Sequence, residues 1–440
     1  MLVGGAVRDR LLGRNQGDWD LATALLPAAV MARAKQAGLP VIPTGLQHGT
    51  VTVMVEGRAC EITTYRGDDA YLDGRRPVSV RLGVPLVEDL ARRDFTVNAM
   101  ALPIEALQAP NWQARLVDPF GGQADLAARR LRAVGDPLQR FAEDGLRPLR
   151  ACRFAAQLDF EVEPATVAAI PERLEVAQKV AVERVQQEMT KLLCGSAVGR
   201  GMALLEATGL LDLWWPELRP MVGCAQNRHH AFDVWGHTLE VLRSAPPEPA
   251  FRWAALFHDS GKPATRTLGP DGEAHFYGHE AESLALAERL LLRLRASHAL
   301  IKTVQALVRH HGMHPDETWG DAACRRFLAR LEVDGLSLAA WAAFRHADQV
   351  GKGVNPKDAL ARHQALVLRL EVLAKMAPVL SAKGLALDGQ ALMAVAGRRG
   401  GPWLGRLQNH LVETVLDDPS ANTCEALQTL AQDWLKAHLG

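Results

Sequence analysis

The spacing of apolar and polar positions changes once along this chain, near residue 125. Before that point, the segment GTVTVMVEGRACEITTY predicts two strands, Thr50–Val55 and Ala59–Thr64, joined at a Glu-Gly turn. The short apolar run LVGG at the start predicts another strand. After that point, segments such as DLAARRLRAV and ERVQQEMTKLLCG repeat apolar residues every three or four positions, which is typical of helices. The pattern therefore predicts an α+β protein, with a small mixed β-sheet followed by an all-α body.

Local changes in composition divide the chain into four segments, 1–125, 126–225, 226–355 and 356–440. The stretch WWPELRPMVG marks a boundary near residue 225. Eleven of the fifteen histidines fall between His229 and His346, and this sets the third segment apart. The fourth segment is rich in Leu and Ala and is broken by Gly and Pro, so we expect a further group of helices there.

Overall composition narrows the class of protein. The chain has 440 residues, 48% of them hydrophobic, and 50 basic residues balance 50 acidic ones, which is ordinary for a globular protein and excludes a disordered or fibrous chain. A run of 18 apolar residues is absent, so we expect no membrane span, and the opening MLVGGAVRD predicts no signal peptide. The six cysteines are scattered, which favours a reduced, cytoplasmic protein.

The start of the chain carries a candidate phosphate and metal site. Gly4 and Gly5 follow the first predicted strand, where two glycines allow backbone N–H groups to approach a phosphate. Arg8 adds a cation in the next turn, suited to a triphosphate oxygen. Asp18 and Asp20 are two residues apart, so on a strand both carboxylates share one face and suit Mg²⁺. The alternative is a glycine turn followed by a solvated pair of aspartates.

Two later motifs give this opening a specific context. Residues 91–101 read ARRDFTVNAMA, and residues 143–154 read EDGLRPLRACRF. With the opening, PTGLQHGTVTV, EITTYR and ERVQQEMTKLL, they resemble the bacterial CCA-adding enzymes, which are tRNA nucleotidyltransferases of the DNA polymerase β superfamily. The resemblance covers most of the chain. It implies template-independent addition of C, C and A to the 3′ end of tRNA from CTP and ATP, with no protein partner implied.

The same resemblance implies a role for each segment and for individual residues. Residues 1–125 would form the nucleotidyltransferase head, 126–225 a helical nucleotide- and RNA-binding neck, and 356–440 a helical tRNA-binding tail. Asp18 and Asp20 would hold Mg²⁺ for catalysis, and Glu61 is a candidate third carboxylate, with a half-buried structural role as the alternative. The residues implied in nucleotide binding are Gly5, Arg8, Arg93, Asp94, Asp144, Arg147, Arg150 and Arg153.

Asp144 and Arg147 are the implied readers of the base, and simple chemistry supports this. A carboxylate accepts from the exocyclic amine of cytosine or adenine, and a guanidinium donates to their ring acceptors. Uracil and guanine would leave buried polar groups unpaired, at a cost of roughly 1–3 kcal/mol each. The alternative is an i,i+3 surface ion pair. Because Pro148 does not fit a helix interior, we expect the helix to start near Gly145, with Asp144 as its N-cap.

The third segment carries a second set of candidate ligands. The strings VWGHTLEV, ALFHDSGKPATRT, HFYGHEAE, LVRHHGMH and FRHADQVGKG resemble the HD phosphohydrolases. Mixed imidazole and carboxylate ligands suit a divalent transition metal such as Mn, Ni, Co, Fe or Zn. Residues 226–355 would then be an HD-type metal phosphohydrolase domain, or alternatively a helical module that binds no metal. The predicted ligands are His237, His258, Asp259, His279, His310 (beside His311) and Asp348.

Two other functions stay open from the sequence. The first is a poly(A) polymerase with the same head, although such relatives carry an Arg-rich stretch where this chain has PTGLQHGT. The second is a metal-dependent phosphohydrolase, possessing phosphatase or 2′,3′-cyclic phosphodiesterase activity, whose head only binds RNA. The presence of both Asp18 and Asp20 argues against this second alternative.

Overall fold

The structure is a computed structural model that describes residues 1–14, 19–68, 80–313, 318–354, 356–376 and 381–439. The chain divides into two compact units, Met1–Arg219 and Pro220–Gly440. Their boundary lies six residues before the boundary predicted near residue 225, and the finer division into four segments remains a prediction.

A six-stranded mixed sheet forms the centre of the first unit, in the order β3-β4-β5-β2-β1-β8. Strand β2 pairs with β5 in parallel, and its other pairing, with β1, is antiparallel. A separate pair, β6 and β7, is antiparallel. The strands are β1 (Leu2–Val3), β2 (Asp20–Thr23), β3 (Val41–Ile42), β4 (Thr50–Val55), β5 (Arg58–Thr64), β6 (Arg66–Asp68), β7 (Val80–Leu82) and β8 (Ala101–Leu102).

The predicted hairpin is confirmed almost to the residue. Strand β4 has the predicted bounds, and β5 begins one residue earlier than predicted. Glu56 and Gly57 connect the strands with φ angles of 49° and 77°. Positive φ at both central residues matches the right-handed twist of a hairpin, which explains the Glu-Gly pair at this turn.

Eleven helices complete the described part of the first unit. They are α1 (Gly5–Leu11), α2 (Pro27–Gln36), α3 (Leu86–Ala91), α4 (Gly122–Ala127), α5 (Pro137–Glu143), α6 (Arg147–Leu158), α7 (Pro164–Ala168), α8 (Leu174–Ala177), α9 (Val182–Leu193), α10 (Val198–Ala207) and α11 (Leu210–Trp214).

Helix α6 packs against α10 at very short range through small residues. A Cβ built on Gly201 of α10 would lie 2.6 Å from the carbonyl oxygen of Cys152 and 2.8 Å from Cβ of Ala156, both on α6. Gly195, just before α10, is equally close to Ala156. Only residues without side chains allow this approach, so the position of α6 depends on them.

The start of α6 differs in detail from the expectation. Pro148 does occupy the first turn, where its missing N–H costs nothing. The N-cap, however, is Leu146 rather than Asp144. Asp144 ends α5, and its Oδ1 accepts a hydrogen bond from the backbone N–H of Leu146, 3.0 Å away. The aspartate therefore holds the turn between two helices.

The second unit is mainly helical. Its helices are α12 (Val234–Ser244), α13 (Pro249–Phe257), α14 (Lys262–Thr265), α15 (His279–Arg293), α16 (His298–His311), α17 (Asp321–Val333), α18 (Leu338–Gly351), α19 (Pro356–Met376), α20 (Gly389–Ala396), α21 (Pro402–Asp417) and α22 (Cys424–Leu439).

The α+β class is confirmed, with a small addition to the all-α body. Strands β9 (Arg130–Leu131) and β10 (Glu161–Val162) pair in parallel in the first unit, and β11 (Thr267–Leu268) and β12 (Ala274–His275) form a hairpin in the second. These two-residue strands lack the alternating pattern from which longer strands are predicted.

Two expectations from composition also have structural counterparts. Within the described ranges, no helix is long and apolar enough to cross a membrane. All six cysteines are free thiols.

The close contact between α6 and α10 gives a test of the packing. We expect Gly201→Ala to destabilise the protein by about 1–3 kcal/mol, because the added Cβ forces α10 away from Cys152. The matched control is Gly405→Ala on α21, where a Cβ would meet no atom within 4 Å. That change should be neutral or slightly stabilising. Thermal unfolding of both variants measures the difference, and an unchanged melting temperature for Gly201→Ala would contradict the packing argument.

Candidate functional site

A cavity of about 570 Å³ lies at the edge of the sheet, between α1, α6 and α9 of the first unit. All eight residues predicted to bind nucleotide line it, together with Asp20. Its described lining is strongly cationic, with six arginines and one lysine against four aspartates. The lining residues are Gly4, Gly5, Ala6, Arg8, Asp9, Asp20, Arg93, Asp94, Asn98, Asp144, Arg147, Arg150, Arg153, Phe154, Arg184 and Lys191.

The double glycine allows an arginine to approach the backbone. Gly4 has a φ of +68°, and a Cβ on it would lie 2.6 Å from Nη1 of Arg93. Gly4 is therefore required both by its left-handed backbone and by the space that the guanidinium takes. Asp89, buried in α3, fixes the same arginine with Oδ2 3.3 Å from Nη2 of Arg93.

Asp20 and Glu61 stand side by side on neighbouring strands. They are register partners in the parallel pair β2–β5, so their side chains share one face of the sheet. Both are exposed and both line a second, smaller cavity of about 130 Å³. The half-buried position considered for Glu61 is therefore incorrect. Asp18 lies outside the described residues, and its predicted role remains a prediction.

Arg8 is oriented by two acceptors. Its Nε and Nη2 donate to the two carboxylate oxygens of Asp9 at 2.8 and 3.0 Å, and its Nη1 donates to Oδ1 of Asn98 at 2.6 Å. A guanidinium held in this way keeps a fixed plane. A fixed guanidinium recognises phosphate oxygens better than a mobile one does.

A buried ion-pair network holds the cations of α6. Asp94 accepts from Nε of Arg150 at 2.7 Å, and Glu188 of α9 lies 2.7 Å from Nε of Arg153. Although burial opposes it, the charge of Arg150 holds the pKa of Asp94 well below its usual range. Burial and the neighbouring Arg150 lower the pKa of Arg153 to about 10, so both arginines carry full charge at neutral pH.

The two predicted base readers have different partners from those expected. Arg147 donates from Nη1 to the carboxylate of Glu143 at 2.6 Å and from Nη2 to the carbonyl of Arg92 at 2.7 Å. Asp144 instead pairs with Arg184, whose Nη2 is 3.0 Å from Oδ2. Hence an i,i+3 ion pair between Asp144 and Arg147, the alternative considered, is not what the side chains form.

Three contributors on α9 were not assigned from the sequence. Arg184, Glu188 and Lys191 are spaced by four and three residues, so one face of the helix carries all of them. Arg184 and Lys191 line the cavity, and Glu188 holds the cations behind it. The segment ERVQQEMTKLL carries this spacing, so its helical period is the signal that could have identified them.

The second unit brings the histidine and aspartate ligands together from α12, α15, α16 and α18 and from the residues that follow α13. His237 lies on α12, the pair His258–Asp259 follows α13, His279 opens α15, and Asp348 lies near the end of α18. Potential ligand atoms of His237, His258 and Asp348 all lie within 4.8 Å of one another. Those of Asp259, His279 and His311 form a second group at the same spacing.

Hydrogen bonds orient three of these imidazoles for metal binding. Nδ1 of His258, His279 and His311 lies 2.8, 2.8 and 2.6 Å from the carbonyl oxygens of Ala255, Phe276 and Val308. A nitrogen facing a carbonyl carries the proton, so in each neutral imidazole the lone pair of Nε2 is directed at the cluster. These residues therefore fit a transition metal.

Cations of the protein offset part of the carboxylate charge in the cluster. Burial opposes protonation of His237, yet hydrogen bonds to Asp259 and Asp348 raise its pKa to about 9. Nε2 of His237 is 3.3 Å from Asp259 and 3.2 Å from Asp348, so one imidazolium offsets part of the charge of two carboxylates. Lys262 adds a second cation, with Nζ 2.7 Å from Asp259.

One predicted ligand is corrected. Nε2 of His310 is 2.7 Å from the carboxylate of Asp334, away from the cluster, whereas His311 belongs to the cluster. Successive residues on a helix point about 100° apart, and the packing of α16 turns His311 towards the cluster and His310 towards Asp334. The sequence pattern HH did not show which histidine faces the cluster.

Comparison with known proteins gives a consistent result along the chain. Residues 1–132 match the family model for the poly A polymerase head domain, residues 159–221 match that for an RNA- and SrmB-binding site of polymerase A, and residues 281–431 match that for tRNA nucleotidyltransferase domain 2. The CCA-adding enzyme of Levilactobacillus brevis is 44% identical over 98% of this chain and 93% of its own. The A-adding tRNA nucleotidyltransferase of Deinococcus radiodurans is 35% identical over 94% of this chain and 90% of its own.

A solved structure has a similar fold. The crystal structure of the Bacillus stearothermophilus CCA-adding enzyme in complex with CTP is 26% identical, with a TM-score of 0.69, and the match covers 99% of this chain and 93% of that one. With the glycine, arginine and carboxylate cavity of the first unit, these relationships confirm the resemblance seen in the motifs: the chain belongs to the family of CCA-adding tRNA nucleotidyltransferases.

Proposed function

We propose that the first unit adds C, C and A to the 3′ end of tRNA from CTP and ATP. The observation that carries the proposal is the single cavity in which a sheet-edge carboxylate, a set of fixed arginines and the Asp144 carboxylate share one space. Full-length relatives named CCA-adding enzymes support it, as do solved relatives in complex with CTP and with ATP. The partners are therefore tRNA, CTP and ATP.

The reaction joins the tRNA 3′-oxygen to the α-phosphorus of the nucleotide and releases pyrophosphate. Asp18 and Asp20 would hold Mg²⁺, and the exposed carboxylate of Glu61 beside Asp20 fits the oxygen ligands that this ion prefers. When bound, Mg²⁺ activates the hydroxyl and shields the leaving pyrophosphate. Arg8 and Arg93 would orient the triphosphate, because both guanidiniums are already held in place by carboxylate partners.

Base selection would depend on Asp144. Its carboxylate can accept from the exocyclic amine shared by cytosine and adenine, whereas uracil and guanine present a carbonyl there. Arg147 is 9% exposed and uses at least three of its five N–H donors on the protein, on the carbonyls of Arg140 and Arg92 and the carboxylate of Glu143. The others are left for a ring acceptor. Arg184, 41% exposed, neutralises Asp144 until a base takes its place.

A poly(A) polymerase with this head remains the alternative, and one relative is named an A-adding tRNA nucleotidyltransferase. These activities differ in product length and in the nucleotide used. With a tRNA that ends at the discriminator base, CTP alone should give two added residues, and CTP with ATP should give three. Long A tails would contradict the proposal, and addition limited to A on a CC end would narrow it to A addition.

A second function is favoured by the cluster in the second unit. We propose that it is an HD-type site that binds a divalent transition metal and hydrolyses phosphoesters, such as a phosphomonoester or a 2′,3′-cyclic phosphate. The orientation of three Nε2 atoms towards two carboxylates supports metal binding. When bound, the metal supplies a water of lowered pKa. A cyclic phosphate on a damaged tRNA end blocks the 3′-hydroxyl that the head needs, which gives the two activities a common substrate.

The catalytic carboxylates can be tested directly. Asp18→Ala and Asp20→Ala should each reduce nucleotide addition by roughly 10²-fold or more, because transition-state stabilisation is lost. Affinity for tRNA should change little. Glu175→Ala, an exposed carboxylate in α8, serves as the control with unchanged activity. CTP incorporation and a tRNA filter-binding assay measure both quantities, and near-normal incorporation by the two aspartate variants would remove the assignment.

Selectivity tests the role of Asp144. Asp144→Ala should reduce use of CTP and ATP and lower their preference over UTP and GTP by roughly 5- to 150-fold, because the discriminating acceptor is lost. Asp144→Ser is the matched control for structure, since a hydroxyl can still accept from the Leu146 N–H. Both variants should lose selectivity in single-nucleotide incorporation. If the serine variant kept full discrimination, the role of Asp144 would be structural.

Adjacent histidines provide a matched test of the second site. His258→Ala, Asp259→Ala and His311→Ala should each lose bound transition metal and any hydrolysis of 2′,3′-cyclic AMP, while nucleotide addition is largely preserved. His310→Ala should keep the metal, because its ring contacts Asp334. Elemental analysis of the folded variants gives the metal content. Equal loss of metal from His310→Ala and His311→Ala would contradict the assignment of His311, and not His310, as a ligand.

A further inference from the structure

The cluster of the second unit opens into a cavity of about 320 Å³ that extends beyond the proposed metal ligands. Asp259, His279, His311 and Asp348 line one side of it. Ligand pockets commonly measure roughly 300–1,000 Å³, so this one suits a single nucleotide-sized group and not a folded RNA stem. The rest of the lining includes Lys262, His275, Tyr277 and Lys352.

An aromatic ring stands exposed at this cavity. Tyr277 lies two residues after the end of strand β12 and is 80% exposed. Its ring is stacked on that of His275, with an interplanar angle of 7° and centroids 5.5 Å apart. Exposure of a large aromatic ring to water is unfavourable. The stack on His275 holds the ring of Tyr277 in one orientation. This is the form of a stacking platform.

The same cavity contains a cation beside the metal ligands. Nζ of Lys352 lies 4.0 Å from Oδ2 of Asp348, and its side chain is 23% exposed. Lys262 already has two partners in the protein, since its Nζ donates to Gln226 and pairs with Asp259. Lys352 is therefore the better placed of the two to meet an incoming phosphate.

We propose that Tyr277 contacts the base of the terminal nucleoside phosphate that this cavity binds, with the phosphate at Lys352 and the metal ligands. The inference rests on the proposed function of this site and adds the residue that would recognise the base. A sugar phosphate or inorganic phosphate gains nothing from an exposed aromatic ring. Every nucleobase has a π face, so stacking recognises the class without selecting a sequence. The nucleoside phosphate can be a free nucleotide or the 3′ end of a single-stranded RNA.

Equilibrium binding separates the base contact from the phosphate contact. The probes are adenosine 3′-phosphorothioate, which is hydrolysed slowly, and inorganic thiophosphate, which carries the same head group without a nucleoside. Calorimetric titration uses the full chain loaded with Mn²⁺. The same titration of His258→Ala is subtracted, because nucleoside binding that survives loss of the metal belongs to the first unit.

Three variants make the test specific to the ring. Tyr277→Ala should weaken binding of the nucleoside probe by roughly 5- to 100-fold, with thiophosphate binding and metal content unchanged. Tyr277→Phe should bind within about twofold of wild type, because the stacking face is kept. Leu268→Ala, on the other strand of the hairpin and also exposed, is the control with no effect.

Each outcome decides the proposal. An unchanged affinity in Tyr277→Ala, equal weakening of both probes, or a phenylalanine variant as weak as the alanine variant would overturn it. Binding that depends on Tyr277, without any hydrolysis, would refute the phosphohydrolase activity and support the nucleoside site. Hydrolysis of 2′,3′-cyclic AMP that is unchanged in Tyr277→Ala would support the phosphohydrolase activity and refute the nucleoside site. A short single-stranded RNA ending in a 3′-phosphorothioate identifies the source: tighter binding than the mononucleotide indicates an RNA end, and equal or weaker binding a free nucleotide.

Discussion

Several arginines must lie close together to bind a triphosphate, and their mutual repulsion is the constraint on which the first unit depends. The protein meets it with buried carboxylates placed behind the cations. Asp94 holds Arg150, and Glu188 holds Arg153, at distances of 2.7 Å. Asp94 follows α3 and Glu188 lies on α9, so the network connects α6 both to α9 and to the segment after α3. The same contacts that permit a dense positive charge therefore also fix the position of the helices that carry it.

The network explains why the backbone is so tightly packed nearby. The guanidiniums of α6 keep their positions only if the helix itself is fixed. Gly201 allows α10 to pack directly on the carbonyl of Cys152 in α6. Gly4 does the same for Arg93 at the edge of the sheet. In the second unit, by contrast, the ligands sit at or near helix ends and are aimed by hydrogen bonds from Nδ1 to carbonyls. Oxygen ligands with arginines in one unit, and imidazoles with carboxylates in the other, correspond to two different chemistries.

Much of this could be predicted because the signals are local. The alternation of β4 and β5, with Glu56 and Gly57 between them, needs only the pleat of a strand and the twist of a hairpin. The motif residues of α6 were assigned to the nucleotide and do line one cavity. Contacts between distant segments were less accessible. Arg184 was missed as the partner of Asp144, since the two are forty residues apart and nothing in either motif names the other.

The sequence by itself determined the class of fold, the hairpin register, and the residue types of both sites, because these follow from side-chain period and from the chemistry that each residue type can perform. Tertiary structure decided which partners those residues take. It directed His311 into the cluster and His310 to Asp334, since a helix turns about 100° per residue and only its packing selects the face. It gave Arg147 to Glu143 and Asp144 to Arg184. Such choices depend on how helices approach one another, and that information is spread over the whole core and is absent from any single motif.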